Sequence, residues 1–328
     1  MKIDYKSLSI IGMQKNAGKT TCLNSILEHN SNLTIGLTSI GRDGEKEDSV
    51  YKVSKPSIFV NKGTLVATTD DCLKNSSCEY SILHKTNINT PLGVVYIIKV
   101  TTAGFIDLAG PSFNKQINEV KEYMGDVDLF IVDGAFSRKQ MASNEELEAT
   151  ILVTGASYSK DIDEVVRETV VTYDLLNLPK GNLKESYFDS AVTLIGDTVR
   201  TLDLNTSLGS AEEIVNEIDS KVTDIVLSGA LTEELVDELK HNRHRIKDIT
   251  IHIKDGTKAF LRYDFYQYLK KMNISLRVLH SINLIALVYN PYSPLGYEFD
   301  DEEFKEKLSK HIDIPIINVL RKGRDSDE

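Results

Sequence analysis

Apolar and polar positions cut the chain into short strands and amphipathic helices. The first run, Leu8 to Ile11, is apolar and β-prone, breaks at Gly12, and leads to Gly18-Lys19-Thr20. Beyond it Cys22, Leu23, Ile26 and Leu27 recur with helical spacing, so the pattern predicts strand, loop, helix. Leu33 to Ile40 predicts a second strand, ending in the glycine-rich acidic loop Gly41-Arg42-Asp43-Gly44-Glu45. From Pro56 to Gly110 the pattern turns β-rich. Ser57 to Val60, the turn Asn61-Lys62-Gly63 and Thr64 to Thr68 predict a hairpin, and Gly93 to Thr101 and Gly104 to Leu108 add two β-runs. Asp128-Leu129-Phe130-Ile131-Val132-Asp133-Gly134 and Ala149 to Ala156 read as core strands, and Ile162 to Tyr173 as an amphipathic helix.

The chain breaks at Leu178-Pro179-Lys180-Gly181 and then repeats strand and helix to Ile314 to Val319, where Pro315 marks the start or edge of a last strand. Alternation of this kind predicts a parallel, doubly wound sheet in both halves. The fold expected is therefore α/β, with a P-loop domain over 1–178, an antiparallel β insertion at about 56–110, and a second α/β domain over 182–328. At 328 residues the chain exceeds the usual size of one domain.

Charge and composition narrow the partners. Forty-nine acids against 38 bases give a formal net charge of −11, and the clusters of bases, such as His241 to Lys247, read as solvated surface. No dense basic run is present, so nucleic acid is not expected as a partner. The three cysteines, Cys22, Cys72 and Cys78, show neither metal-ligand spacing nor a disulfide framework, which fits a reducing cytoplasm. The segment Met1 to Lys6 does not read as a secretory leader, and no apolar stretch approaches the roughly 18 residues a membrane helix needs.

The chemistry concentrates in Gln14-Lys15-Asn16-Ala17-Gly18-Lys19-Thr20-Thr21. Backbone amides at a helix N-terminus, reinforced by the helix dipole, favour a polyphosphate. Gly18 allows close approach, Lys19 reaches the β and γ phosphates, and Thr20 ligates Mg²⁺. The strict motif places glycine where Met13 stands, with Gly12 one residue early. Asp133, at the end of an apolar strand, has the place of a Mg²⁺-side acid. Asp43 sits where a loop would face the ligand crevice, and the loop Asn290-Pro291-Tyr292-Ser293-Pro294 offers Asn290 to a nucleotide base or to a partner protein. No Asn-Lys-x-Asp guanine-reading motif occurs, so ATP is the default nucleotide.

With Gly36-Leu37-Thr38-Ser39-Ile40-Gly41-Arg42-Asp43-Gly44-Glu45, Leu108-Ala109-Gly110-Pro111-Ser112, Val132-Asp133-Gly134-Ala135 and Asn290-Pro291-Tyr292-Ser293-Pro294, the phosphate-loop sequence resembles the ATPase subunit of the lysine 5,6-aminomutase reactivase. The resemblance spans nearly the whole chain. It implies ATP and Mg²⁺ as cofactors, an adenosylcobalamin- and pyridoxal-phosphate-dependent aminomutase of amino-acid fermentation as client, and a MutS-like second subunit. It carries Lys19 and Thr20 over as phosphate and Mg²⁺ contacts and Asp133 as the metal-side acid, and matches the motifs around Asp43 and Asn290. A homo-oligomer is also compatible.

The loop is also similar to those of dethiobiotin-synthetase-like and Mrp/MinD-like enzymes, although the second lysine of the MinD type is replaced by Gln14, with Lys15 one residue later. Two other functions stay open on the sequence. One is a carboxylate-activating ligase of the dethiobiotin-synthetase type. The other is a nucleotide-gated binding protein with little hydrolysis.

Overall fold

The computed structural model describes residues 1–40, 58–134, 147–244, 246 and 248–320. They form two compact units, Met1–Val165 with Leu284–Glu328, and Val166–Asn283. The expected boundary near 178–182 is therefore corrected. The division falls inside the helix Ile162–Leu176, and the chain after Asn283 returns to the first unit. The return is made by the strand Leu284–Asn290, which pairs with Ala149–Gly155 in parallel.

The first unit is built on a nine-stranded sheet. From one edge its strands are Ile316–Asn318, Leu284–Asn290, Ala149–Gly155, Ser7–Gly12, Leu129–Gly134, Ile35–Ser39, Leu65–Thr69, Gly93–Thr102 and Glu79–Thr90. Every neighbouring pair is parallel as far as Leu65–Thr69, and the last two strands run antiparallel. The expectation of an α/β chain with a mostly parallel sheet is met at that level. Ser7–Gly12 is buried at every position, as a central parallel strand with both faces covered must be. Its buried hydroxyls are partnered on the side of the Ala149–Gly155 strand: Ser9 Oγ lies 2.8 Å from Thr150 Oγ1, and Ser7 Oγ accepts from the Glu148 amide at 3.0 Å.

The helix Lys19–His29 packs Cys22, Leu23, Ile26 and Leu27 into this core, and full burial of each larger aliphatic side chain contributes roughly 1.5–3 kcal/mol. Asn30 ends the helix, with Nδ2 donating to the Ile26 carbonyl at 2.8 Å while Oδ1 accepts from the Ile3 amide at 3.1 Å.

The β-rich stretch differs from its expected form. Ile58–Val60 does not form a hairpin with the next strand; it pairs antiparallel with Gly104–Ile106. Leu65–Thr69 instead joins the parallel core beside Ile35–Ser39 and accepts Gly93–Thr102 on its other side. Ser112 does not cap the helix Asn114–Met124, whose N-cap is Phe113.

The second unit carries a five-stranded sheet, in the order Val199–Thr201, Val192–Ile195, Asp224–Leu227, Thr250–Ile253, Ser275–Val278. It is mixed rather than parallel throughout, because Val192–Ile195 runs antiparallel to both its neighbours. The helices Glu233–His241 and Tyr263–Lys271 bury Leu235, Val236, Leu239, Tyr266 and Leu269 in this unit's core. No helix among the described residues is long and apolar enough to cross a membrane.

Candidate functional site

Sheet register decides which side chains meet. Ile11 pairs with Gly134 and with Leu152, Ser39 pairs with Asp133, and Gly155 pairs with Asn290. Five strand ends far apart in sequence are thereby delivered to one carboxyl edge, where successive strands depart to opposite sides of Ser7–Gly12. That is where open α/β sheets bind ligands.

The Gly12–Thr20 loop rises from this edge. The Met13 amide continues the ladder by donating to the Val153 carbonyl at 2.9 Å, and the Met13 side chain is buried. Gly12 does the work the strict motif gives to the next position. A Cβ on Gly12 would lie 2.7 Å from Lys19 Cγ and 2.8 Å from Lys19 Cδ, so the lysine stem crosses the bare backbone of Gly12. Asn16 and Gly18 adopt left-handed φ of 62° and 105°. Gly18 is the N-cap of Lys19–His29; no side chain caps this helix end, and no acid lies in its first turn.

Lys19 Nζ donates to the Gly134 carbonyl at 2.7 Å and lies 3.5 Å from Asp133 Oδ1. Each of the two side chains is 20% exposed, so this ion pair is shielded enough to hold a fixed geometry while staying open to a ligand. Thr20 is half-buried and Thr21 exposed on the first helical turn. Among the described residues no group of three or more His, Cys, Asp and Glu could hold a metal ion. A hydroxyl and a single carboxylate, Thr20 and Asp133, do fit Mg²⁺, a hard cation that is bound through one or two protein oxygens plus water and substrate phosphates.

Gln14 and Lys15 are anchored by a residue the sequence did not single out. Gln14 Nε2 donates to Ser157 Oγ at 2.8 Å, and Ser157 Oγ lies 3.4 Å from the Lys15 carbonyl. Lys15 itself is exposed, and Ala17 is buried. The only advance signal for Ser157 is its place two residues past a strand-terminal glycine.

Asn290 stands against the loop. Its Cβ and Nδ2 lie 3.2 and 3.5 Å from where a Gly18 Cβ would be, with Val319 Cγ1 at 3.4 Å from the same point. The Asn290 carbonyl accepts from the Ala156 amide at 2.9 Å, and its Oδ1 accepts from the Tyr292 amide at 3.1 Å. Gly155 is obligatory there: a Cβ would sit 2.8 Å from the Asn290 carbonyl oxygen and 3.2 Å from that of Ala17. On the other flank the Gly110 amide donates to Ser39 Oγ at 3.0 Å, which seats Ala109-Gly110-Pro111 beside the Asp133 strand. Asp43, with Arg42, lies outside the described residues.

The structure thus brings together Gln14, Lys15, Asn16, Ala17, Gly18, Lys19, Thr20, Asp133 and Asn290, and adds Gly12, Ser157, Gly155 and Val319. An uncapped helix end, a shielded lysine and a facing carboxylate can hold an anion with an accompanying cation. Comparison with family models, curated proteins and solved structures finds no match to this chain.

Proposed function

We propose that this chain is a P-loop ATPase that drives the reactivation of an adenosylcobalamin-dependent aminomutase of the lysine 5,6-aminomutase type. The observation that carries the nucleotide reading is the Lys19 side chain laid across Gly12 with its ammonium between Asp133 and the Gly134 carbonyl. The aminomutase client and the MutS-like companion rest on the sequence resemblance.

In this reading the amides at the start of Lys19–His29 cradle the phosphates, and Lys19 turns from the Gly134 carbonyl to the transferring phosphoryl group, where it stabilises developing charge. Asp133, released from Lys19, and Thr20 would hold Mg²⁺, which would supply charge neutralisation of the phosphates. A water oxygen bonds to the γ-phosphorus as the bridging P–O bond breaks, giving ADP and phosphate, with the water's surplus proton released to solvent. Asn290, which stands against Gly18, is assigned the contact with the nucleotide beyond the phosphates, a role its proximity to the loop supports. Asp43 is assigned the sensing of the γ-phosphate, by analogy with other P-loop switches.

The test is ATP hydrolysis by the full chain, with and without a cobalamin-inactivated aminomutase and its MutS-like companion, beside a Lys19→Ala control. Stimulation by the mutase, lost in the control and accompanied by regained mutase activity, is expected. Steady turnover with a small carboxylate and no protein client would replace this reading with the dethiobiotin-synthetase-type ligase. Tight ATP binding without turnover would replace it with a nucleotide-gated binding protein.

A further inference from the structure

The second unit has a carboxyl edge of its own, and two loops there run side by side. Asp224–Leu227 pairs in parallel with Thr250–Ile253, and a few residues later Leu231–Thr232 pairs in parallel with Ala259–Phe260. The connections 228–230 and 254–258 are thus clamped against each other at both ends. Both are braced from behind. Ser207 Oγ donates to the Ala230 carbonyl at 3.0 Å and leaves no room for a Cβ on Gly229, which would lie 2.8 Å from it. Asp255, only 2% exposed, turns its carboxylate into its own loop, accepting from the Thr257 amide at 2.8 Å and from the Thr257 hydroxyl. A Cβ on Gly256 would meet the Leu175 carbonyl oxygen at 1.9 Å, so this loop too is fixed in place.

On that rigid frame stand Lys254 and Lys258, both half-buried. Neither ammonium group has a hydrogen-bond or ion-pair partner among the described residues, in a chain of net charge −11. His280, the second residue past the neighbouring strand Ser275–Val278, donates its amide to the Lys254 carbonyl at 2.9 Å, which places a third basic residue beside them. A half-buried lysine has lost part of its hydration, and burial without a counter-charge is costly. Two such lysines on one braced loop call for an anion. Because two positive charges match a phosphate dianion and exceed what a monocarboxylate needs, phosphate is the fitting chemistry.

We propose that the carboxyl edge of the second unit is a second ligand site, in which Lys254 and Lys258 bind a phosphate group beside the Ser228–Ala230 loop. The site lies wholly within Val166–Asn283 and is independent of the ATPase reading.

The experiment uses the full chain carrying Lys19→Ala, which removes the ammonium group from the first loop, titrated with inorganic phosphate by calorimetry at about 0.15 M ionic strength, where surface charges are well screened. One phosphate per chain is expected, with affinity reduced roughly tenfold or more by Lys254→Gln/Lys258→Gln and restored towards the parent by Lys254→Arg/Lys258→Arg, as expected for charge-assisted contacts. Acetate at matched ionic strength is expected not to compete. No phosphate binding in the Lys19→Ala protein, or binding indifferent to the glutamine pair, would overturn the proposal; equal binding of acetate would overturn its phosphate class. Should the glutamine variant fail to fold, amine labelling of the Lys19→Ala protein decides. Phosphate is expected to protect Lys254 and Lys258, and unchanged labelling would overturn the site.

Discussion

Among the helices that follow parallel strands, one from each unit, Lys19–His29 and Glu233–His241, begin their first turns in opposite ways. Lys19–His29 begins at Gly18, with no side-chain cap and no acid in its first turn. Glu233–His241 begins at Thr232, whose hydroxyl accepts from the Leu235 amide, and carries Glu233 and Glu234 in its first turn. Both helix ends present the same partial positive charge. The second is satisfied from its own sequence, while the first has neither a side-chain cap nor an acid in its first turn. Topology alone therefore does not make an anion site; the residues at the cap decide. In the second unit an incoming anion would have to be read by side chains on a neighbouring loop, which is where Lys254 and Lys258 stand.

The largest effect should come from removing the charge that completes the open end. Lys19→Ala is expected to lower ATP turnover on the order of 10²–10³-fold, comparable to deleting one preorganised donor to a developing anion, with the fold retained by circular dichroism. Turnover within a few-fold of the parent would dissolve the contrast between the two helices.

The contrast can also be made to vanish by design. Thr21 is exposed on the first turn of the open helix, so Thr21→Glu gives that helix the internal acid its counterpart already has. Nucleotide affinity, measured by titration, should fall roughly tenfold through competition and like-charge repulsion. The melting temperature should not fall, because an acid at that position complements the dipole. Unchanged affinity would mean that the helix end does not face the phosphates.

The converse change probes the closed helix. Thr232→Ala removes the cap and should cost about 1 kcal/mol of stability in the second unit, read as a lower denaturant midpoint with ATP turnover unchanged. A loss of turnover instead would show that the two units are energetically coupled.

How much of this was legible beforehand follows from the range over which each signal acts. Gly18-Lys19-Thr20 and the Asp133 strand were readable because a strand, its terminal loop and the next helix are contiguous. Asn290 was singled out for its proline-flanked loop, yet the contact that gives it meaning, with Gly155 and Gly18, is made across the ladder between Ala149–Gly155 and Leu284–Asn290. Pairing over such separations leaves no local pattern. The same reason explains why the local pattern points Ile58–Val60 to the wrong partner: its true partner, Gly104–Ile106, lies beyond an entire hairpin, and the turn Asn61-Lys62-Gly63 is as good a local hairpin signal as any. Lys254 and Lys258 carry no local signal, because the pattern predicts a strand over Ile249 to Ile253 and a helix from Lys258 to Met272, whereas the helix begins only at Tyr263 and Lys258 ends a short turn before the strand Ala259–Phe260. Only the parallel clamp at both ends makes their loop a site.

The smallest effect separates packing from chemistry within the open helix. Cys22 packs its buried face, and its thiol is pushed up to about 12, first by burial and also by the Asp133 charge, with the Met1 ammonium acting in the opposite direction. An unfolded cysteine ionises near about 8.5. The folded thiol stays neutral well above that, so stability from this group is intact below about pH 8.5 and declines as pH rises towards 12, because ionisation then favours the unfolded chain. At pH 9 the loss should be less than about 1 kcal/mol. Thermal melts from pH 7 to pH 9.5 should therefore fall more steeply for the parent than for Cys22→Ala, and it is the difference in slope that counts, since the substitution also opens a small cavity. Equal slopes would mean that Cys22 ionises as freely in the folded protein as in the unfolded chain. The helix would then not be seated on the sheet as described, and the Lys19–Asp133 geometry that rests on that seating would fall with it.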